Sequence, residues 1–422
     1  MRTTIYGFGM CLLLGAATPA WAETVDAKLL TVLRNNGSIT QQQYEELSAD
    51  LANEQKAAAV ATETVSKADF DNLQQKVAWA ARTVVSGDVR VRNENTSVQN
   101  RDPERAQDRQ RYRARVAVVS QVSEELEAGV RVATGNLNDP RSTNQDMNDY
   151  FVKKQLWLDR AYLSYHPTDV PGLNVVGGKM AQPWVSEDEM IWDNDINPEG
   201  IASQYQHAFG RVNLFGSTGA FTLKDNVNGE GREFTNDLRM ISAQLGSKFA
   251  VADGYNVTLG GSLYHFHLDG DAPTVPPALI GLAAVGNTTT QFQLWEGFGQ
   301  LDISTLPVPL AFYGQYVKNV NANGPESDDD KGWLLGVKTK LWNIGLNYNY
   351  RNVQRNAVVG AFTDSDFANG YTGSRGSKIQ VSYPITKNFN FQTTYMHAQS
   401  NAASTQPGSD VDTWLIDFAA SF

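Results

Sequence analysis

The chain of 422 residues contains one cysteine, Cys11, which lies in an apolar segment near the N-terminus. Without that segment the chain has no cysteine, which excludes a disulfide framework and thiol chemistry. Beyond residue 22 the sequence lacks any apolar run that approaches the roughly 20 residues of a transmembrane helix. Basic residues are outnumbered, 35 against 46 acidic ones, and the net charge is −11. This balance argues against a nucleic-acid partner, which would bind a basic face.

Catalytic and metal-binding motifs are also missing. The sequence has no G-x-S-x-G elbow, no H-E-x-x-H motif and no glycine-rich phosphate loop. Among its five histidines, His265 and His267 alternate with Tyr264 and Phe266. We expect the two histidines to be polar residues of an interior and the two aromatic residues to face lipid. The sequence therefore predicts no enzyme activity, no cofactor and no metal site.

The first residues predict export from the cytoplasm. Arg2 is followed by an apolar run over residues 9–17 and then by Pro19-Ala20-Trp21-Ala22. This is the order of a charged segment, a short apolar segment and an A-x-A cleavage site. We expect residues 1–22 to be a cleavable signal peptide.

Residues 23–80 differ in composition from the rest of the chain, being rich in Ala, Gln, Glu and Lys. A helix is predicted from Val25 to about Asn35, ended by Gly37. Thr40 is then an N-cap, with Gln43 three residues later as in a capping box. Further apolar residues follow the a/d spacing of a short coiled coil: Phe70, Leu73, Val77 and Ala80. This periplasmic helical segment either packs on or plugs the domain that follows, or it self-associates, in which case three copies would make a trimer.

From about Thr83 onward apolar and polar residues alternate, which is the period of a strand with two different faces. The first two segments contain Val89–Arg92 and Arg109–Val118. The further candidates are 125–134, 156–166, 172–181, 200–208, 211–225, 237–249, 255–268, 291–304, 309–319, 332–342, 343–353, 377–385, 388–399 and 411–422. We predict an all-β transmembrane fold over residues 81–422, an antiparallel outer-membrane β-barrel of about 16 strands.

The last nine residues alternate in the same way. One face carries the apolar residues Trp414, Ile416, Phe418 and Phe422, and the other carries Asp417. This pattern predicts a strand that closes the barrel with its aromatic face toward lipid. It resembles the C-terminal assembly signal of outer-membrane barrels, which ends in Phe and implies a barrel-assembly machinery as partner. Closure would place Asp417 beside the arginines of the first strand.

Arginines form the most distinct group of candidate functional residues. They share the polar face of three predicted strands: Arg90, Arg92, Arg111, Arg113, Arg115 and Arg160. Arginine stays charged and is costly against lipid, so this face should line the lumen. Such a positive stripe would favour anions. Alternatively, carboxylates on neighbouring strands neutralise it, with Glu94, Glu125 and Glu127 as candidates.

Opposite charge is concentrated between two predicted strands. The acidic residues of this segment are Glu187, Asp188, Glu189, Asp193, Asp195 and Glu199. The segment either folds into the pore, where it would face the arginines across a constriction, or forms a solvated extracellular loop. The sequence alone does not distinguish between these two placements of the segment.

Several segments together resemble the putative-porin family that is related to the phosphate-selective porins. They are the prefix VDAKLLTVLRNNGSITQQQYEEL, the stretches GGKMAQPW and WDNDINPEG, and the C-terminal FAASF. The resemblance implies a sixteen-stranded barrel in the outer membrane, commonly a homo-trimer, that passes small hydrophilic or anionic solutes by passive diffusion. A sleeve or anchor for a periplasmic partner, or an outer-membrane enzyme, is the alternative.

Overall fold

The computed structural model describes residues 25–56, 72, 79–99, 105–137, 139–225, 237–268, 285–400 and 408–422. The chain divides into two compact units, Met1–Trp79 and Ala80–Phe422. The predicted signal peptide lies outside the described residues, as do Phe70, Leu73 and Val77 of the predicted coiled coil. Within the described part, no helix is both long enough and apolar enough to cross a membrane.

Two helical segments are described in the first unit. Helix α1 spans Val25–Asn35, and residues 41–56 are also helical. Gly37 follows α1 with a left-handed φ of 67°, a conformation that glycine adopts without a steric penalty. The Thr40 backbone N–H donates to Gln43 Oε1 at 2.9 Å, and the Gln43 N–H donates to Thr40 Oγ1 at 3.3 Å. The predicted helix end and capping box are both confirmed.

The second unit is a closed antiparallel barrel. Its strands are β1 Thr83–Gln99, β2 Arg105–Gln121, β3 Leu126–Ala133, β4 Gln145–Asp146, β5 Trp157–Tyr165, β6 Leu173–Lys179, β7 Glu199–Phe209, β8 Val212–Lys224, β9 Leu238–Ala252, β10 Tyr255–Leu268, β11 Gln293–Ile303, β12 Leu310–Asn319, β13 Lys331–Leu341, β14 Ile344–Val353, β15 Ser374–Thr386, β16 Phe389–Ser400 and β17 Ser409–Ser421. Sixteen of them close the ring, because β1 pairs with both β2 and β17. The two-residue β4 pairs with β2 inside this 17-stranded sheet. The predicted sixteen-stranded barrel is confirmed.

Short and long connections alternate between the two ends of the barrel. At one end, which we call the turn end, strands join through tight turns such as residues 210–211 and 342–343. Gly210 and Trp342 have positive φ there, at 59° and 53°, as tight hairpins require. The opposite end, the loop end, carries the long connections. Two of them matter for function: the acidic loop, residues 180–198, and the valine loop, residues 354–373.

The strands present two different faces, as their sequence period requires. Outward side chains are apolar and exposed, for example Leu245 at 71% and Trp414 at 52%. Inward side chains on the same strands are polar and buried, for example Gln244 and Asp417. Lipid can solvate the first set, whereas the second needs water or polar partners.

One side of the lumen holds an apolar core. The acidic loop turns inward, and its residues Met190, Ile191 and Trp192 are at most 2% exposed. Trp192 lies 5.2 Å from the Tyr264 ring and stacks on Phe362 of the valine loop at 5.5 Å. Aromatic contacts of this kind add to the free energy gained from area burial. The core therefore fixes the acidic loop against the barrel wall.

This core corrects the prediction for β10. Tyr264 and Phe266 point into the barrel, with 1% and 7% exposure, where we expected lipid. His265 and His267 lie on the outward face, with parallel rings 5.4 Å apart. The reason is the inward acidic loop, because it gives the interior wall an apolar partner that strand periodicity alone does not indicate.

The barrel closes as the last segment predicted. Arg92 is directly opposite Asp417 in the β1–β17 register. Gly87 and Phe422 exchange two backbone hydrogen bonds, each 3.0 Å long. Trp414 and Phe418 are exposed on the outer face, as expected.

Candidate functional site

Arginines cover the lumen face of the first two strands. In the β1–β2 register Arg90 is opposite Arg113, and Arg92 is opposite Arg111. Arg115 is opposite Asp88, one step closer to the turn end. The alternating outward residues of these strands include exposed valines, so the polar face is the inner one.

Carboxylates on the same wall pair with most of these arginines. Asp88 bridges Arg113 and Arg115 at 2.7 Å each. Closer to the loop end, Glu94 pairs with Arg109 and with Arg111, the latter at 3.0 Å. Neutralisation within the wall is therefore a property of this site.

Of the three carboxylates expected to neutralise the stripe, Glu94 does so and the other two bind elsewhere. Glu125 lies near the turn end, where its Oε1 accepts the Thr168 backbone N–H at 2.6 Å. These hydrogen bonds from Thr168 lower the pKa of Glu125 below its usual value. Glu127 accepts the Tyr162 hydroxyl proton at 3.1 Å.

Arg160 continues the stripe on β5. It lies directly opposite Arg131, which pairs with Asp159. The Arg160 Nε donates to Asn197 Oδ1 at 2.7 Å, and Asn197 belongs to the acidic loop. The Asn197 amide accepts a hydrogen bond from Arg160 but carries no charge, so it does not compensate the positive charge of the guanidinium.

The acidic loop places four of its predicted carboxylates inside the barrel, and a fifth predicted residue, Glu187, contacts the wall through its backbone. The Asp188 carboxylate accepts the Asn349 amide at 2.7 Å, and the Glu187 carbonyl accepts Lys338 Nζ at 3.3 Å. The remaining three, Glu189, Asp193 and Asp195, line one cavity. The sixth candidate, Glu199, instead begins β7 and pairs with Lys179 at 2.5 Å.

Charges of the loop and of the wall meet across the lumen. Arg115 Nη1 lies 3.2 Å from Asp195 Oδ1. The other oxygen of Asp195 accepts the Thr143 hydroxyl at 2.9 Å and the Thr143 N–H at 3.0 Å. The acidic loop thus faces the arginines, which is one of the two placements that the sequence left open.

The valine loop supplies charged residues that the sequence reasoning missed. Its Asp364 pairs with Arg351 in a buried contact, and its Asp366 pairs with Arg92 at 2.7 Å. Lys378 lies 3.5 Å from Asp364 and 3.4 Å from Asp188, so it links the two loops.

A signal for this inward position exists in the sequence. The valine loop contains Ala357, Val358 and Val359, each at most 3% exposed. An apolar run beside two aspartates is unusual for a solvated loop, because such residues favour burial. Arg141, from the connection between β3 and β5, joins the same network by donating to the carbonyls of Gly360 and Gly370 at 3.0 and 3.1 Å.

The pKa values of the loop carboxylates shift in opposite directions. Burial, together with Asp364, raises the pKa of Glu189 to about 7. Burial and the nearby Glu189 also raise the pKa of Asp193. For Asp188 burial acts in the same direction, but Lys378 and Arg351 outweigh it and hold its pKa below the usual value. Glu189 and Asp193 are therefore carboxylates of one cavity whose pKa values are both raised.

Two cavities follow the lumen past these residues. The narrower one, which we call the eyelet, has a volume of about 200 Å³. Its charged lining residues are Arg90, Arg92, Arg113, Arg141, Lys378, Glu189, Asp193, Asp195, Asp364 and Asp366. The turn-end vestibule is larger, about 750 Å³. Its charged lining residues are Asp88, Arg113, Arg115, Arg131, Arg160 and Lys387.

Within the described ranges, no group of three or more His, Cys, Asp or Glu side chains is placed to hold a metal ion. The charged groups instead pair with one another across the lumen.

Comparison with known proteins identifies the family. The sequence matches the family described as putative porins over residues 98–275 and 315–422. The chain belongs to this porin family. No curated protein matches it.

Solved porins share the fold at low identity. An OprB structure from Pseudomonas putida is 11% identical with a TM-score of 0.53, covering 84% of this porin-family chain and 97% of OprB. Salmonella typhi OmpF in complex with daunomycin is 11% identical with a TM-score of 0.49, and the match covers 81% and 97% of the two chains. A mutant Rhodopseudomonas blastica porin is 10% identical with a TM-score of 0.43, covering 81% and 100%. The similarity to OprB shows a shared fold and nothing further.

Proposed function

We propose that this porin-family barrel forms an outer-membrane channel through which small hydrophilic solutes diffuse passively. The observation that carries the proposal is the inward acidic loop, which narrows a closed barrel to a charged eyelet. Fixed charges and pore size are sufficient for selection by size and sign, and no bound cofactor is required. The outward apolar wall supports insertion in lipid.

The proposal includes a modest preference for anions. In the eyelet the cationic and anionic residues balance, so it contributes little to the sign of the preference. The turn-end vestibule is different, because its four arginines and Lys387 outnumber the carboxylates that pair with them, Asp88, Asp159 and Asp195. A low-dielectric wall around an excess of one charge concentrates ions of the opposite charge.

The dimensions of the lumen favour solute passage over the sleeve or anchor alternative. The two inward loops leave an eyelet of about 200 Å³. A protein segment threaded through the barrel would have to displace the buried Trp192 and Phe362, which the apolar core holds in place.

Assembly and export belong to the same proposal. We propose that residues 1–22 are removed after export, that residues 23–80 are a periplasmic extension, and that the porin is a homo-trimer. Phe422 and the outward Trp414, Ile416 and Phe418 would then be the strand that the barrel-assembly machinery recognises. The supporting observation is the edge-to-edge pairing of this strand with β1.

Liposome swelling tests the channel function. Proteoliposomes containing the mature chain are diluted into isosmotic solutions of uncharged solutes of increasing size, such as glycerol, arabinose and raffinose. The expected result is swelling at a rate that falls steeply as the solute grows. Liposomes that swell no faster than protein-free controls with any of these solutes would reject the function.

A further inference from the structure

The eyelet brings under-paired charges of both signs to one small cavity. Its two walls come from different parts of the fold, the β1–β2 wall on one side and the acidic loop on the other. At about 200 Å³ it is smaller than the roughly 300–1,000 Å³ of pockets that hold drug-sized ligands. A solute of about six heavy atoms is the class that such a space accommodates.

On the cationic side Arg90 is the more accessible guanidinium. Its Nη2 donates to Asn144 Oδ1 at 2.6 Å and its buried Nε lies 3.7 Å from Asp417, while the side chain as a whole lines the eyelet and is 14% exposed, against 5% for Arg92. The neighbouring Arg92 is different, since it is bonded to Asp417 and to Asp366 at 2.7–3.0 Å. Arg90 is therefore the guanidinium of this pair that is available to a solute.

On the anionic side Glu189 and Asp193 are the under-paired carboxylates. Glu189 accepts the Asn194 N–H at 3.1 Å and is 3.5 Å from Lys378 Nζ. Asp193 accepts backbone N–H groups of Asp195 and Ser365 at 3.0 Å each. Among the described residues, no cation lies within salt-bridge distance of Asp193. Both carboxylates can thus gain a charge-assisted hydrogen bond from a cationic group of a solute.

We propose that the eyelet is a binding site for zwitterionic solutes of amino-acid size. The carboxylate of the solute binds Arg90, and its ammonium group binds Glu189 and Asp193. This inference rests on the proposed channel function and names its substrate class. Each half of the contact is weak in water and stronger in the lumen, where the effective dielectric constant is lower. A solute with both charges gains both contacts and leaves the charge balance of the eyelet unchanged.

Flux measurements with two matched solutes test this inference. Proteoliposomes at pH 8, where Glu189 is ionised, are assayed for uptake of radiolabelled L-alanine, a zwitterion, and of lactamide, an uncharged molecule of similar size. We expect alanine uptake to saturate at millimolar concentrations and lactamide uptake to rise linearly. The variants Arg90→Gln and Glu189→Gln should each raise the half-saturating concentration about tenfold, as expected when one hydrogen bond to a charged group is lost.

Two further variants serve as matched controls. Arg109→Gln and Glu199→Gln remove the same charges from positions outside the eyelet, and neither should change the half-saturating concentration. Lactamide uptake verifies that every variant forms a folded channel. Alanine uptake as linear as that of lactamide would overturn the zwitterion site and leave the channel function standing. If neither solute enters, the channel function itself fails.

Discussion

Arg92 on the first strand donates two hydrogen bonds to Asp417 on the last strand, Nε to Oδ1 at 2.8 Å and Nη2 to Oδ2 at 3.0 Å. Both residues are buried in the lumen wall, at 4% and 3% exposure. The contact exists only when the barrel is closed, because neither hairpin that contains one of the residues contains the other. This ion pair therefore reports on the seam of the ring.

Removing the carboxylate at the seam should destabilise the closed barrel. The substitution Asp417→Asn should lower the free energy of unfolding by about 2 kcal/mol, which is typical for a hydrogen bond to a charged group. Arg92 keeps Asp366 at 2.7 Å, so its charge stays paired. Urea titration in detergent, followed by tryptophan fluorescence, measures the change. Asp253→Asn is the control, because it removes the same charge from an exposed turn where the carboxylate lies 3.6 Å from an exposed Arg211. Equal losses in both variants would contradict the role of the seam.

The C-terminal ring needs the space that Gly87 leaves free. A Cβ added at Gly87 would clash with the Arg115 carbonyl oxygen and would also lie 2.6 Å from Phe422 Cζ, which is closer than real contacts allow. The substitution Gly87→Ala should therefore slow barrel assembly and lower the folded fraction, measured as the heat-modifiable band on gels. At Gly297, on the outer wall of β11, an added Cβ meets open space. If Gly297→Ala impaired folding as much as Gly87→Ala, crowding around Gly87 would not be the cause.

The vestibule arginines should set the sign of ion selectivity. The double variant Arg113→Gln with Arg115→Gln is expected to lower the chloride-to-potassium permeability ratio by about twofold or more, because one charge at about a Debye length changes the energy of an ion by about 0.5 kcal/mol. Arg111→Gln should have a smaller effect, since Arg111 lines neither the vestibule nor the eyelet. Reversal potentials under a salt gradient give the ratio. An unchanged reversal potential in the double variant would remove these arginines as the selectivity element.

Anion preference should increase on acidification. Glu189 has a pKa of about 7, so its carboxylate is charged at pH 8 and mostly neutral at pH 6. Protonation removes negative charge from the eyelet, and Asp193, whose pKa is also raised, acts in the same direction. The chloride-to-potassium ratio is therefore expected to rise about twofold between pH 8 and pH 6. In the double variant Glu189→Gln with Asp193→Asn the ratio should stay constant, and a preserved pH dependence would point to other groups.

The barrel could be predicted from the sequence because strand period and turn chemistry are local properties. Alternation along Val89–Arg92 specifies which face meets lipid, and Trp342-Asn343 specifies a tight turn. The register at the seam followed from closure, since Asp417 and the arginines occupy inner faces at neighbouring edges. Local pattern was sufficient for each of these features.

The interior of the barrel could not be predicted in the same way, because loop placement depends on contacts between distant segments. Tyr264 and Phe266 were assigned to lipid since an inward aromatic pair has no visible partner in its own strand. Their partner is Trp192, more than 70 positions earlier in the chain. Asp366 was missed for the same reason, as its cation Arg92 is 274 positions away.

The most direct test is the conductance of the purified mature chain in a planar lipid bilayer under a potassium chloride gradient. The proposed function predicts stepwise current increases, grouped in threes for a trimer, with a reversal potential that indicates weak anion preference at pH 7.5. A bilayer that stays electrically silent after insertion of folded barrels would contradict it.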